Sequence, residues 1–209
     1  MKKLFFILLV ILSINIYAGN NSLSVKAGAN YSTFNVQFFN TDSDVPLEYP
    51  EASYTFGGAL YLSWERNNFL SKNLYLNIDI GLNQKGLKQD YSTEIVNKHY
   101  LSIEVPIVLG YRFYNKIKLY FGVYSSLLFY ETRNNQSKFT LYQDKKGGGI
   151  MIDSGVLLGI EYEYKDYLFN LRFQQGLVAA DEGYDQYGDL ASKTKNNRQF
   201  VFMLGYKFF

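Results

Sequence analysis

In eight separate stretches of this chain large apolar side chains fall on every second position, and that period decides what the chain can become. From Tyr100 to Phe113, Leu101, Ile103, Val105, Ile107, Leu109, Tyr111 and Phe113 share one parity; Ser102, Glu104, Pro106, Gly110 and Arg112 share the other. Successive side chains of a strand point to opposite faces, so each stretch has one apolar face and one mixed face. The stretches run approximately over residues 23–36, 54–65, 74–85, 100–113, 117–130, 150–164, 167–177 and 199–209. The third is the cleanest, with Leu74, Leu76, Ile78, Ile80 and Leu82 alternating with Tyr75, Asn77, Asp79, Gly81 and Asn83.

The same alternation would suit a soluble barrel that carries a ligand inside, with its apolar face inward and a charged face in water. Here the non-apolar face is rich in Gly, Ser, Asn and Tyr with few charges, which makes a poor coat against solvent and a good filling for a narrow lumen. Residues 1–18 read as a secretory leader: Lys2 and Lys3, an apolar run from Leu4 to Ile16, and a small residue, Ala18, before Gly19. The run is shorter than the ~20 apolar residues of a spanning helix. Together these features predict a signal peptide over 1–18 and, over 19–209, an all-β, eight-stranded, antiparallel, up-and-down transmembrane β-barrel. Such a barrel needs only ~9–11 tilted residues per crossing, because every backbone hydrogen bond is made between strands.

Orientation follows from the connections. Short links span 66–73, 114–116 and 165–166; long ones span 38–53, 86–99, 131–149 and 178–198. Outer-membrane barrels have short periplasmic turns and longer outside loops, so both termini are expected in the periplasm. With 20 Tyr and 17 Phe, the chain is well supplied for aromatic girdles at the membrane–water boundary. The C-terminal pair Phe208 and Phe209 resembles the aromatic tail that barrels present to their insertion machinery, although the lipid-face parity ends at Phe208. A monomer in outer-membrane lipid is expected.

Several chemistries are excluded or disfavoured. With no Cys there is no disulfide, thiolate metal site or thiol nucleophile. The formal charge is +2, and loss of Lys2 and Lys3 with the leader removes it, leaving nothing to attract a nucleic-acid backbone. His99 is the only histidine, and Ser102, three residues on, falls on the opposite face of a strand, beyond the reach a His–Ser pair needs. No enzyme, cofactor or metal is expected. The loop with Asp181, Glu182, Asp185 and Asp189 lacks the ordered spacing of a calcium loop. Its Tyr184, Asp185, Tyr187 and Asp189 are candidates for contact with a partner outside the cell. Residues 133–138 and 144–149, the latter ending in three glycines, read as flexible.

By parity the charges Lys26, Glu65, Asp79, Glu104, Arg112, Asp153, Glu161, Glu163, Arg172 and Lys207 face the lumen, with Tyr61, Tyr75, Tyr120 and Tyr124. An eight-stranded barrel is just wide enough for side chains to fill it, and a buried charge must be paired. A structural network of ion pairs is therefore expected, with Glu161 and Arg172 as neighbours across a tight turn. Inside the fourth stretch Pro106 cannot donate a ladder bond and is expected to mark a bulge.

The segments VKAGANYSTF (25–34), YLSIEVPIVLGYRF (100–113), DSGVLLG (153–159) and RFQQGL (172–177) resemble strands of the PorT-like outer-membrane β-barrel family. The resemblance spans most of the mature chain. It implies the barrel fold and outer-membrane location, and a link to protein secretion or envelope assembly through an envelope or secreted partner. The leading expectation is a non-enzymatic scaffold. Alternatives are a narrow porin-like pore, a surface adhesin and, more remotely, a lipid-modifying enzyme.

Overall fold

In the computed structural model, which describes residues 21–39, 46–47, 53–90, 95–114, 116–133, 136–139, 151–178, 181–184 and 190–208, the eight alternating stretches become eight long strands. In chain order the elements are β1 (Asn21–Phe39), β2 (Pro46–Leu47), β3 (Thr55–Asn67), β4 (Leu74–Asp90), β5 (Ile95–Phe113), β6 (Ile117–Arg133), β7 (Gln136–Phe139), β8 (Met151–Tyr164), β9 (Tyr167–Gly176), β10 (Asp181–Tyr184) and β11 (Leu190–Lys207). The long strands pair antiparallel in the order β1-β3-β4-β5-β6-β8-β9-β11, and β11 pairs back onto β1, with Val25 opposite Tyr206 and Tyr31 opposite Phe200. Closure leaves the ring of eight long strands without a free edge; among the described residues only the short β2, β7 and β10 pair on one side.

The faces fall as their parity requires. Asp79, Lys85, Glu104 and Asp153 inside are 0% exposed, whereas Ile80, Leu158 and Phe202 outside are 53%, 57% and 52% exposed. Charge within and hydrocarbon without is the reverse of a soluble carrier, and only a lipid surround matches it. Among the described residues no helix is long and apolar enough to cross a membrane; the crossing is made by strands.

Three local expectations are corrected. Strands run further than the apolar rows: β4 and β5 stay paired out to Asp90 and Ile95, so most of the expected loop 86–99 is ladder. Past the lipid belt the outward face no longer meets hydrocarbon, the alternation signal fades, and backbone pairing continues regardless. For the same reason Gln136–Phe139, which overlaps the 133–138 stretch read as flexible, pairs with β6, and Asp181–Tyr184 of the acidic loop pairs with β11. Pro106 marks no bulge. It stays in register with Tyr124 on β6, and on β4 the pairs Ile78–Ile107 and Gly81–Glu104 keep one register on either side of it. Only the two intervening pairs, which would need its missing N–H, are absent. The bulge of β5–β6 lies instead between Leu101 and Ser102. The leader (1–18), residues 144–149, Asp185, Tyr187, Asp189 and Phe209 lie outside the described residues.

Each of the three short turns carries one non-glycine residue at positive φ: Asn68 at 54°, Tyr114 at 49° and Lys165 at 55°. A Cβ makes the left-handed region cost roughly 1–2 kcal/mol. Tyr114 is 93% exposed and has no packing to lose. Tyr114→Gly is expected to stabilise the barrel by about 0.5–1 kcal/mol, the relief of that strain less the greater freedom of glycine in the unfolded chain. Urea titration in detergent micelles measures it.

Candidate functional site in the barrel lumen

Inward parity brings six cations and six carboxylates together among the described residues, and every one of them is paired. Nearest the short turns, Lys118 bonds Glu65 (2.8 Å) and Glu161 (3.1 Å) and lies 3.3 Å from Glu163. Arg112 joins Glu65 at 2.9 Å, Lys207 pairs with Glu163, and Lys26 pairs with Glu161 at 2.8 Å. At mid-barrel Arg172 reaches across to Asp79. Its guanidinium also lies 5.3 Å from the centre of the Tyr61 ring and 5.8 Å from that of Tyr120, within cation–π range.

Further toward the long loops a single cation serves two carboxylates. Lys85 is 2.7 Å from both Glu104 and Asp153, and its ammonium lies 4.7 Å from the centre of the Tyr124 ring. Neutral donors complete the group. Tyr61 and Gln174 each donate to Glu104 at 2.7 Å, Asn83 donates to it at 3.1 Å, and Tyr124 (3.1 Å) and Asn197 (2.9 Å) donate to Asp153. Each carboxylate thus has both a cation and hydrogen-bond donors, the condition under which buried charge is tolerated.

All ten charges read from parity are inside or at the mouth. Glu161 and Arg172 are neighbours, as expected, lining one gap, but they are not ion-pair partners. Glu161 stands opposite Asn170, which donates to it at 3.0 Å, while Arg172 stands opposite Gly159, one inward step further along, and extends across the lumen. Lys85 and Lys118 were missed although parity identifies them, since each lies at the very end of its alternating stretch. The filling is also less polar than expected. Phe34, Leu87, Tyr100 and Leu128 form a buried apolar cluster inside the end nearer the long loops. Val108 and Leu157 pack with Tyr75, Tyr120 and Tyr124, and Val201 and Met203 with Ala59 and Tyr61.

Small residues make room for the aromatics. A Cβ on Gly110 would lie 2.2 Å from the Tyr75 ring, one on Gly159 2.4 Å from the Tyr120 ring, and one on Gly81 2.5 Å from the Tyr61 ring. Alternation of small and large residues fills a narrow barrel. The gap bounded by Lys26, Tyr75, Asn77, Tyr120, Glu161 and Arg172 is too small to admit a water molecule.

Ser102 is fully buried in the lumen, donating to the Asn83 carbonyl at 2.9 Å, while His99 stands on the outward parity opposite Gly86 and Thr132. The two do not form a dyad. No cluster of three or more metal-ligating side chains occurs among the described residues.

No protein-family model matches the chain, and no curated protein matches it. Among solved structures the chain is similar to Neisserial surface protein A (NspA), at 12% identity and a TM-score of 0.52, covering 91% of this chain and 98% of that one. It is also similar to the outer membrane protein OprG from Pseudomonas aeruginosa, at 12% identity and a TM-score of 0.49 over 90% and 96% of the two chains. A third is Ail, the attachment invasion locus protein of Yersinia pestis, at 11% identity and a TM-score of 0.47 over 90% and 99%. The chain has the fold of a small outer-membrane β-barrel. At these identities the likeness is one of fold.

Proposed function

We propose that this protein is a non-enzymatic integral protein of the bacterial outer membrane, with both termini in the periplasm and a closed lumen. On this reading the barrel is a rigid holder, and its activity is to present the long loops, with Tyr184, Asp185, Tyr187 and Asp189, to an envelope or secreted partner. The PorT-like strand segments favour a partner in secretion or envelope assembly, and Phe208 and Phe209 serve insertion. The observation that carries the reading is the filling of the lumen: among the described residues, paired charges, four tyrosines and the apolar cluster of Phe34, Leu87, Tyr100 and Leu128 are packed into its interior.

The test is electrical and chemical. Purified protein in planar bilayers is expected to give no conductance steps above the lipid background; stable steps would replace the scaffold with a narrow pore. Photo-crosslinkers placed in the long loops, in cells, are expected to capture one recurring envelope or secreted protein. Capture from the short turns alone would reverse the orientation.

A further inference from the structure

Four cations at the short-turn rim take no part in the lumen network. Arg66, Lys72, Lys116 and Lys165 are exposed, and none makes an ion pair among the described residues. The exposed carboxylate of the described turn residues is Asp166 alone, since Glu163 is held by Lys118 and Lys207. The cations sit directly where the lipid-facing rows stop. Arg66 follows Trp64 on the same face of β3, Lys116 precedes the outward Ile117, and Lys165 follows Tyr164, its ammonium 5.7 Å from that ring's centre. Tyr111, Phe113, Tyr167 and Tyr206 end the belt at the same level and are 39–56% exposed. Aromatic residues mark the headgroup level of a bilayer, and cations just beyond them meet lipid phosphates.

We propose that this rim binds the phosphates of anionic phospholipid headgroups in the leaflet it faces, selecting phosphatidylglycerol over zwitterionic lipid. Two features of the rim carry it: the excess of unpaired cations over carboxylates, and its unbroken continuity with the apolar belt. Attraction of this kind acts within a Debye length of the surface and is weakened by salt. The proposal rests on the membrane-spanning reading, and its test separates the two.

Trp64, the single tryptophan, lies two residues from Arg66 and reports on the lipid beside this rim. The mature barrel is refolded into vesicles of phosphatidylcholine mixed with brominated phosphatidylglycerol, and quenching of Trp64 gives the relative affinity of the two lipids. A preference of about threefold for phosphatidylglycerol is expected at low ionic strength, falling toward one in half-molar salt. The variant R66Q/K72Q/K116Q/K165Q, altered only at exposed positions, is expected to lose the preference. Equal affinity in the unaltered protein, or a preference that survives both salt and the four substitutions, overturns the proposal. Failure to insert into any vesicle, read as absence of the compact band on unheated gels, would instead overturn the membrane-spanning reading.

Discussion

Lys85→Met is expected to destabilise the barrel by about 3–5 kcal/mol, the cost of breaking a buried ion pair from one side. Glu104 and Asp153 are 0% exposed and share this one ammonium. Their neutral donors, Tyr61, Asn83 and Gln174 on one side and Tyr124 and Asn197 on the other, cannot supply the missing charge. The buried apolar cluster of Phe34, Leu87, Tyr100 and Leu128 lies toward the long loops and offers no polar group in its place. Urea unfolding in lipid vesicles, followed by gel mobility, measures the loss. The triple change K85M/E104Q/D153N removes all three charges together and is expected to regain most of the stability, because hydrogen bonds remain and no uncompensated charge is left. Arg112→Ala is the contrast. Its side chain is 24% exposed at the mouth, and Glu65 keeps Lys118, so the loss is expected to stay below about 1 kcal/mol. A Lys85→Met barrel within about 1 kcal/mol of the unaltered protein would show that its lumen is wet and that the network is incidental.

Parity made the barrel legible, and it made the membership of the lumen legible too, from Lys26 on β1 to Lys207 on β11. Partner choice was not. The pairs that matter cross the barrel, such as Arg172 on β9 to Asp79 on β4 and Lys118 on β6 to Glu65 on β3. These depend on tilt and stagger, which a period of two does not encode. Glu161 and Arg172, placed together by proximity in sequence, are neighbours lining one gap, but register sets Glu161 against Asn170 and the two do not pair. Phe34 and Leu87 escaped notice for a different reason. They are apolar residues on the polar parity, and an apolar cluster inside the barrel is indistinguishable in sequence from a lapse in the pattern. The same fading of pattern past the belt hid the outer ends of β4, β5 and β11, where pairing is kept up by the backbone and not by side chains.

Gly28→Val is expected to prevent closure of the barrel, while Gly58→Val is expected to be close to neutral, although the two glycines are neighbours on paired strands. Gly28 faces inward on β1, opposite Met203 of β11, at the seam that joins the first long strand to the last. A Cβ there would lie 1.9 Å from the Phe202 carbonyl oxygen and 2.7 Å from the Met203 Cα. Both are backbone atoms of the ladder, so no side-chain rotation relieves the overlap; only parting of β1 from β11 does. Parting exposes two strand edges whose backbone groups find no partner in hydrocarbon. The penalty is expected to be on the order of 3 kcal/mol or more, at the upper end of what overpacking costs, because the frame itself must move. Gly58 on β3 stands opposite Ala29 and faces lipid, and a Cβ there meets nothing nearer than the Gly28 carbonyl oxygen at 3.9 Å. A methyl-bearing side chain at Gly58 simply joins the belt. Folding yield into vesicles and the urea midpoint of each variant decide the matter. If Gly28→Val closes as readily as Gly58→Val, the first and last long strands do not approach as tightly as their register requires, and the seam tolerates a side chain between them.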